Sequence, residues 1–398
     1  MFGAIVLIVL LYFISVPILE KFRAKLPWLP VKLLQTLYWY HILFAIIYYL
    51  FTRDVRSDSK TYYYMSTQYT NWLDSYQSGT VFLHFVSYPF TKYLMFSYEM
   101  MMVLFSWMGY WGFVYFYIVF RENLRFKHKL FGFELITLFV FLPNMHYWTA
   151  SLGKGSIIFL GIALAIYALS RISSRKIALI LGLVIVYHVR PHVFLFMAIG
   201  ILVGVFTGKE KVPLYQKALV FTGSAVALFL LYDTIISFVG LDEDNLFDSF
   251  TEFSDVRAYE LSKSAGSGID TSNYPLGLKL LTFWFRPLFF DAPSLIGIVV
   301  SFENLLYLFL TLKLIDRKFF GFIKSASSLV KTSAVTFLAT SFALSGTLSN
   351  LGIIIRQKSM VMYFLLFLIL SFMDYKQNIR LSKKRVPKRN IARQFQRG

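Results

Sequence analysis

The chain of 398 residues contains no cysteine and little charge, and both shortages restrict what it can be. Without cysteine it forms no disulfide and offers no thiolate for catalysis or for a metal. Charged residues make up 15% of the sequence, against about a quarter in a soluble domain. In contrast, 57% of the residues are hydrophobic, and apolar runs of about 20 residues recur along the whole length. This composition predicts a polytopic helical membrane protein.

The apolar runs predict an all-α fold with about eleven spanning helices. Shorter apolar stretches at 81–95 and 278–292 favour interfacial or re-entrant helices. Residues 1–374 form a single transmembrane domain, with larger outer loops at 52–95 and 238–293. The predicted spans are 2–19, 33–51, 96–120, 131–148, 155–170, 177–189, 192–207, 217–237, 294–314, 328–346 and 358–374.

Positive charge is distributed asymmetrically over the predicted loops. Of the 40 lysines and arginines, 28 lie in or beside alternate loops, and the tail 375–398 is the most basic segment. The positive-inside rule places these loops in the cytoplasm, the N-terminus outside and the C-terminus inside a cell inner or plasma membrane. The net charge of +19 therefore indicates contact with the lipid bilayer, through a basic cytoplasmic tail, rather than with nucleic acid.

Three arginines depart from this distribution because they lie at the opposite ends of apolar segments. Arg190 lies in VYHVRPHVF, Arg286 in FWFRPLFF and Arg356 in IIIRQK. A guanidinium keeps its charge, so its placement at membrane depth is costly. Together they predict a site for an anionic ligand, a lipid-linked phosphate above all. His192, two residues after Arg190, is counted with this site.

Each arginine also has a structural interpretation. Arg190 would then pair with a carboxylate such as Asp233 or Glu134 inside the bundle. Arg286 would extend its charge toward the interface from among its aromatic neighbours, and Arg356 would be an ordinary interfacial cation.

The first outer loop, TRDVRSDSKTYY, brings Arg56, Asp58 and Tyr62 close together in sequence. A carboxylate here is a candidate general base toward a sugar hydroxyl. Alternatively it orients sugar hydroxyls by hydrogen bonds, or the loop simply solvates a helix end.

The turn PNMHYWTASLGKGSI follows the fourth predicted span. His146 and Lys154 bracket it, and glycines flank the lysine just before the next helix. Backbone N–H groups at a helix start, together with a lysine, suit a phosphate, although the spacing is not that of a Walker A loop. The alternative is a tight interhelical turn with an interfacial lysine.

Four carboxylates lie within predicted spans: Glu99, Glu134, Asp233 and Glu303. Carboxylates at membrane depth are candidates for proton or cation sites, so they support a transporter as the alternative. No spacing of histidine and acidic residues resembles a metal site, and no cofactor is predicted.

Five motifs, VRSDSKTYY, PNMHYWTASLGKGSI, VYHVRPHVF, FWFRPLFF and NLGIIIRQKSMVMYF, follow one another over most of the chain. In this order they resemble the bacterial O-antigen and exopolysaccharide repeat-unit polymerases, the Wzy-like group, and more loosely the GT-C membrane glycosyltransferases. The chain lacks the Asp-x-Asp or Glu-x-Asp pair of many GT-C enzymes, because Asp54 and Asp58 lie four residues apart.

The resemblance implies transfer of a polyprenyl-diphosphate-linked glycan to an acceptor hydroxyl at the outer membrane face, with other polysaccharide-assembly proteins as partners. Arg190, Arg286, Arg356 and Lys154 would stabilise the leaving diphosphate. Asp58 or His146 would activate the acceptor, and an acidic amphipathic helix at 242–260 would act as a lid. A lipid-linked oligosaccharide flippase is the alternative function, for which no internal repeat is found.

Overall fold

The computed structural model describes residues 1–239, 268–269, 271, 274–292, 294–347 and 350–385. These residues are mostly helical, as predicted. The helices are α1 Phe2–Lys25, α2 Val31–Thr52, α3 Asp58–Gln68, α4 Val81–Tyr88, α5 Tyr98–Asn123, α6 Leu135–Val140, α7 Pro143–Thr149, α8 Lys154–Leu169, α9 Lys176–Val189, α10 Pro191–Thr207, α11 Leu214–Val239, α12 Leu276–Phe285, α13 Leu295–Thr311, α14 Lys318–Lys324, α15 Ser328–Thr347, α16 Leu351–Gln357 and α17 Met362–Arg385. The predicted lid at 242–260 and most of the basic tail lie outside the described residues.

Five of the described helices are long and apolar enough to cross a membrane: α1, α2, α5, α13 and α15. The helices α16 and α17 form a sixth span if the 58° bend between them belongs to one crossing. In contrast, α8, α9 and α10 have 16, 14 and 17 residues. At about 1.5 Å per residue they reach roughly 21–26 Å, less than the hydrocarbon thickness of about 30 Å. The chain is therefore a helical membrane protein in which full-length spans and shorter apolar helices pack together.

The span predicted over 131–148 is wrong. A short β-hairpin of two strands with two residues each, β1 Lys129–Leu130 and β2 Phe133–Glu134, replaces the beginning of this predicted span. The helices α6 and α7 follow, with a break between them. The break lies before Pro143, and Leu142 has the extended backbone that a following proline favours. Apolar composition alone did not reveal this interruption.

The loops between the helices lie at two opposite ends of the bundle. At the basic end, the backbone N–H of Arg125 after α5 donates to Asp374 on α17 at 2.6 Å. His128 also bonds Asp374, at 2.8 Å, and Lys331 on α15 donates to the carbonyl of Thr207. These contacts join loops that the sequence assigned to one side. The opposite end contains α3, α4 and the break between α9 and α10, and we call it the site end.

Closely spaced small residues hold α10 against α15. A Cβ on Gly204 would lie 2.1 Å from Thr332 Oγ1 and 2.5 Å from the carbonyl oxygen of Ser328. Gly200 and Gly208 make equivalent approaches one turn away, to Thr336 and Ser328. This four-residue repeat of small side chains lets the two backbones approach closely, as is common between helices in membranes.

Replacing Gly204 by leucine should separate α10 from α15, because its side chain has no space beside the Ser328 carbonyl. We expect thermal unfolding of the purified protein in detergent to shift downward by several degrees, as overpacking of about 1–3 kcal/mol implies. Gly223→Leu is the matched control, since a Cβ there meets nothing within 4 Å. Equal unfolding temperatures for the two variants would contradict this packing.

Candidate functional site

The break between α9 and α10 fixes the position of Arg190. Its backbone N–H donates to the carbonyl of Val186 at 2.9 Å, so it ends α9. Its own carbonyl accepts from Val193 at 3.0 Å and Phe194 at 3.1 Å, so it also begins α10. Pro191 occupies the first position of α10, where its missing N–H costs nothing. The predicted spans 177–189 and 192–207 are separated at this point, and the structure places the break between two short helices.

The first outer loop packs against the end of α9. The backbone N–H of Gly79 donates to the His188 carbonyl at 2.6 Å. The Tyr76 hydroxyl lies 2.7 Å from His188 Nε2, and the imidazole stacks on Phe82 with ring centroids 4.7 Å apart. His188 thus serves to attach this loop to the segment that contains Arg190.

A long-range ion pair joins two of the predicted site residues. Asp58 is the first residue of α3, and its Oδ2 lies 2.8 Å from Nη1 of Arg356 in the last turn of α16. Both charges lie at favourable helix ends, the carboxylate at an N-terminus and the guanidinium at a C-terminus. Arg356 also lies over the ring of Trp148, with 5.8 Å from its Cζ to the centroid.

Tyr62 and Lys154 complete the group. The buried Tyr62, one turn after Asp58, shares a hydrogen bond with Arg356, and burial first and then Asp58 raise its pKa. Its ring faces Gly153, where a Cβ would lie 3.8 Å from Cε2. The next residue is Lys154, which begins α8 within electrostatic range of Arg190, Arg356 and Asp58. We call Asp58, Tyr62, Lys154, Arg190 and Arg356 the cation cluster.

Arg190 differs from the other cations of this cluster. Its Nε is buried without a hydrogen-bond partner, and no side-chain hydrogen bond or ion pair joins it to another of the residues that the structure describes. Burial, and then repulsion from Arg356, lower the pKa of Arg190 to about 10, so its guanidinium remains charged near neutral pH. Among the described residues, the cation cluster contains three cations, Lys154, Arg190 and Arg356, and one carboxylate, Asp58, which gives it an excess of positive charge. This arrangement suits an anionic ligand.

Lys154 makes the charge of the cluster dependent on pH. Burial, followed by Arg190 and Arg356, lowers its pKa to about 8, against the weaker opposing effect of Asp58. The lysine is charged below that pH and loses its proton above it. We expect affinity for a diphosphate ligand to fall as the pH rises from 7 to 9.

Lys154→Arg is the matched variant for this prediction, because arginine stays charged throughout that range. Its binding curve should remain flat between pH 7 and 9. A decline of the same size in both proteins would assign the pH dependence to another group.

Three predicted site residues lie apart from the cluster. Arg286 forms an ion pair with Asp291 at 2.5 Å between Nε and Oδ2. His146 is fully buried, and both of its nitrogens are engaged: Nδ1 with His41 Nδ1 and Nε2 with the Val140 carbonyl, each at 2.7 Å. The role of His146 as a base does not fit this environment. Arg56 is exposed, two residues before Asp58.

Two histidines lie at the edge of the cluster. His192, in the first turn of α10, is within electrostatic range of Arg190 and Lys154. His84 on α4 was not among the predicted site residues. Its ring centroid lies 6.2 Å from that of Tyr62, and burial and then Lys154 lower its pKa. Only the aromatic residues around it in sequence could have indicated its position.

The acidic residues of the predicted spans do not gather along one path in the described structure. Glu134 pairs with Arg121 at 2.9 Å, at the basic end. Glu303 accepts from the Asn144 backbone N–H at 2.6 Å and from the Tyr307 hydroxyl at 3.1 Å. The described residues contain no group of three histidines or carboxylates suited to a metal.

Comparison of the chain with family models, with curated proteins and with solved structures gives no match. Inference about function therefore depends on the cation cluster and on the membrane-embedded fold that positions it.

Proposed function

We propose that this chain is a membrane glycosyltransferase of the polysaccharide-polymerase type. It transfers a sugar or oligosaccharide from a polyprenyl diphosphate to an acceptor hydroxyl at the site end, which faces outward by the distribution of basic loops. The observation that supports this proposal best is the position of the partly buried Arg190 beside Arg356 and Lys154, with no side-chain hydrogen bond or ion pair to another of the described residues.

A leaving diphosphate is the ligand whose chemistry matches this excess of positive charge. Its negative charge increases as the bond between the anomeric carbon and the phosphate oxygen breaks. Fixed cations in a poorly hydrated site stabilise such developing charge more than they stabilise the bound substrate. The Arg190 guanidinium is already desolvated, so little reorganisation is needed when the charge forms.

Asp58 is the candidate base in this proposal. The acceptor hydroxyl oxygen bonds to the anomeric carbon, its proton passes to Asp58, and the electron pair of the broken bond leaves with the polyprenyl diphosphate. Before substrate binds, Arg356 holds the carboxylate at 2.8 Å. A diphosphate that draws Arg356 toward itself would free Asp58 to accept the hydroxyl proton.

The flippase alternative requires polar groups along a path between the two membrane faces. Glu134 and Glu303 are instead engaged with separate partners, at the basic end and inside the bundle. The side chain of Asp233 lies outside the described residues. The described carboxylates therefore favour transfer over transport.

The proposal is tested by reconstituting the purified protein in lipid vesicles with a polyprenyl-diphosphate-linked oligosaccharide. Chain growth together with release of polyprenyl diphosphate is the expected result. Movement of the oligosaccharide across the bilayer without chain growth would replace the proposal with the transporter alternative.

A further inference from the structure

A second charged feature lies at the opposite, basic end of the bundle. A cavity of about 880 Å³ opens between the end of α13, the start of α14 and the last turns of α17. Five lysine and arginine side chains from these elements line it: Lys313, Lys318, Lys376, Arg380 and Lys383.

Carboxylates neutralise little of this charge. Asp316 pairs with Lys376 at 2.7 Å, and Asp374 is engaged with His128 and the backbone after α5. Within the described part of the chain, Lys313, Lys318, Arg380 and Lys383 form no ion pair with a carboxylate. Four positive charges from three segments therefore converge on one concavity.

The same cavity has an apolar wall. Leu312, Ile315, Phe372, Ile379 and Leu381 line it between the cations. Ile315 is 80% exposed, and so it is available to an acyl chain. A soluble anion such as free phosphate gains nothing from this apolar surface, whereas a phospholipid meets both parts of it.

We propose that this cavity binds the phosphate headgroup of an anionic phospholipid of the basic-end leaflet. The lysines and Arg380 would hold the phosphodiester, and the aliphatic wall would pack against the upper part of the acyl chains. Helix α17, which lines this cavity, is preceded in the chain by α16, and α16 contains Arg356 of the cation cluster. Lipid binding here is nevertheless separate from the proposed reaction.

The test compares phosphatidylglycerol with phosphatidylcholine, each added to the delipidated full-length protein in detergent. Phosphatidylglycerol should raise the unfolding temperature by about 5 °C at concentrations near 100 times its dissociation constant, whereas phosphatidylcholine should not. Lys313→Gln/Lys318→Gln should bind phosphatidylglycerol at least about tenfold more weakly, since each basic residue contributes roughly 1 kcal/mol near an anionic lipid.

Two further variants separate the cavity from general surface charge and from misfolding. Lys32→Gln/Lys211→Gln removes two exposed lysines elsewhere at the basic end and should bind phosphatidylglycerol as the wild type does. Lys313→Arg/Lys318→Arg should also retain binding. Equal weakening in the control pair would overturn the proposal, and so would equal stabilisation by phosphatidylcholine. Stabilisation by inorganic phosphate as large as that by phosphatidylglycerol would identify a free anion as the ligand and overturn it too.

Discussion

Replacing Arg190 by methionine should reduce glycosyl transfer at least about 100-fold, the loss that follows removal of one donor to a developing negative charge. Methionine preserves much of the side-chain volume, so packing at the break between α9 and α10 should survive. The measurement is the initial rate of product formation in vesicles that contain equal amounts of inserted protein.

Stability distinguishes this role from a structural one. In the described structure no carboxylate forms an ion pair with the partly buried Arg190, so its removal relieves a desolvation cost rather than breaking a pair. The unfolding temperature of Arg190→Met should equal or exceed that of the wild type. Arg53→Met is the control, because the Arg53 side chain is exposed and forms a long ion pair with the neighbouring Asp54, at 3.7 Å. An inactive Arg190→Met variant with a lower unfolding temperature than the wild type would indicate that Arg190 has a structural role. An active Arg190→Met variant would show that Arg190 does not belong to the site.

Exchanging the charges of Asp58 and Arg356 is expected to have the second largest effect. The double variant Asp58→Arg/Arg356→Asp restores an ion pair between α3 and α16 but removes the carboxylate from α3. We expect transfer to remain at least about 100-fold below wild type, as loss of a general base implies. Product formation by the two single variants and the double variant, measured side by side, tests this.

The ion pair itself contributes little to stability. The side chain of Asp58 is 57% exposed, and exposed pairs contribute about 0–1 kcal/mol. Recovery of activity in the exchanged variant would therefore show that the ion pair serves to connect α3 with α16 and that Asp58 is not the general base. Asp58→Asn, which keeps the shape but not the charge, should be as inactive as the exchanged variant.

The sequence was most informative where composition and local geometry agree. Long apolar runs predicted α1, α2, α5, α13 and α15, and the Pro191 break was located correctly because proline acts on its immediate neighbours. Arg190, Arg286 and Arg356 were identified because they lie at the opposite ends of apolar segments from most other cations. The free-energy cost of a charge at membrane depth depends mainly on side-chain chemistry, so the sequence alone reveals it. Of the three, Arg190 and Arg356 meet in the cation cluster, while Arg286 pairs with Asp291.

Features that depend on residues distant in sequence could not be predicted. Asp58 and Arg356 are 298 positions apart, and no local pattern indicates that they meet. The buried pair of His41 and His146 is likewise a product of how α2 packs on α7. The glycines spaced four residues apart on α10 indicate close packing against another helix. They do not indicate that this helix is α15.

We propose that the cations at the site end bind a lipid-linked diphosphate, and an equilibrium binding measurement observes this interaction itself. Purified protein should bind a polyprenyl diphosphate at least about tenfold more tightly than the corresponding prenol, since hydrogen bonds to charged groups contribute roughly 1.5–3 kcal/mol each. Arg190→Met should lose most of this preference, and Arg53→Met should keep it. Equal affinity of the wild-type protein for prenol and diphosphate, or an unchanged preference in Arg190→Met, would show that the cation cluster does not bind the diphosphate.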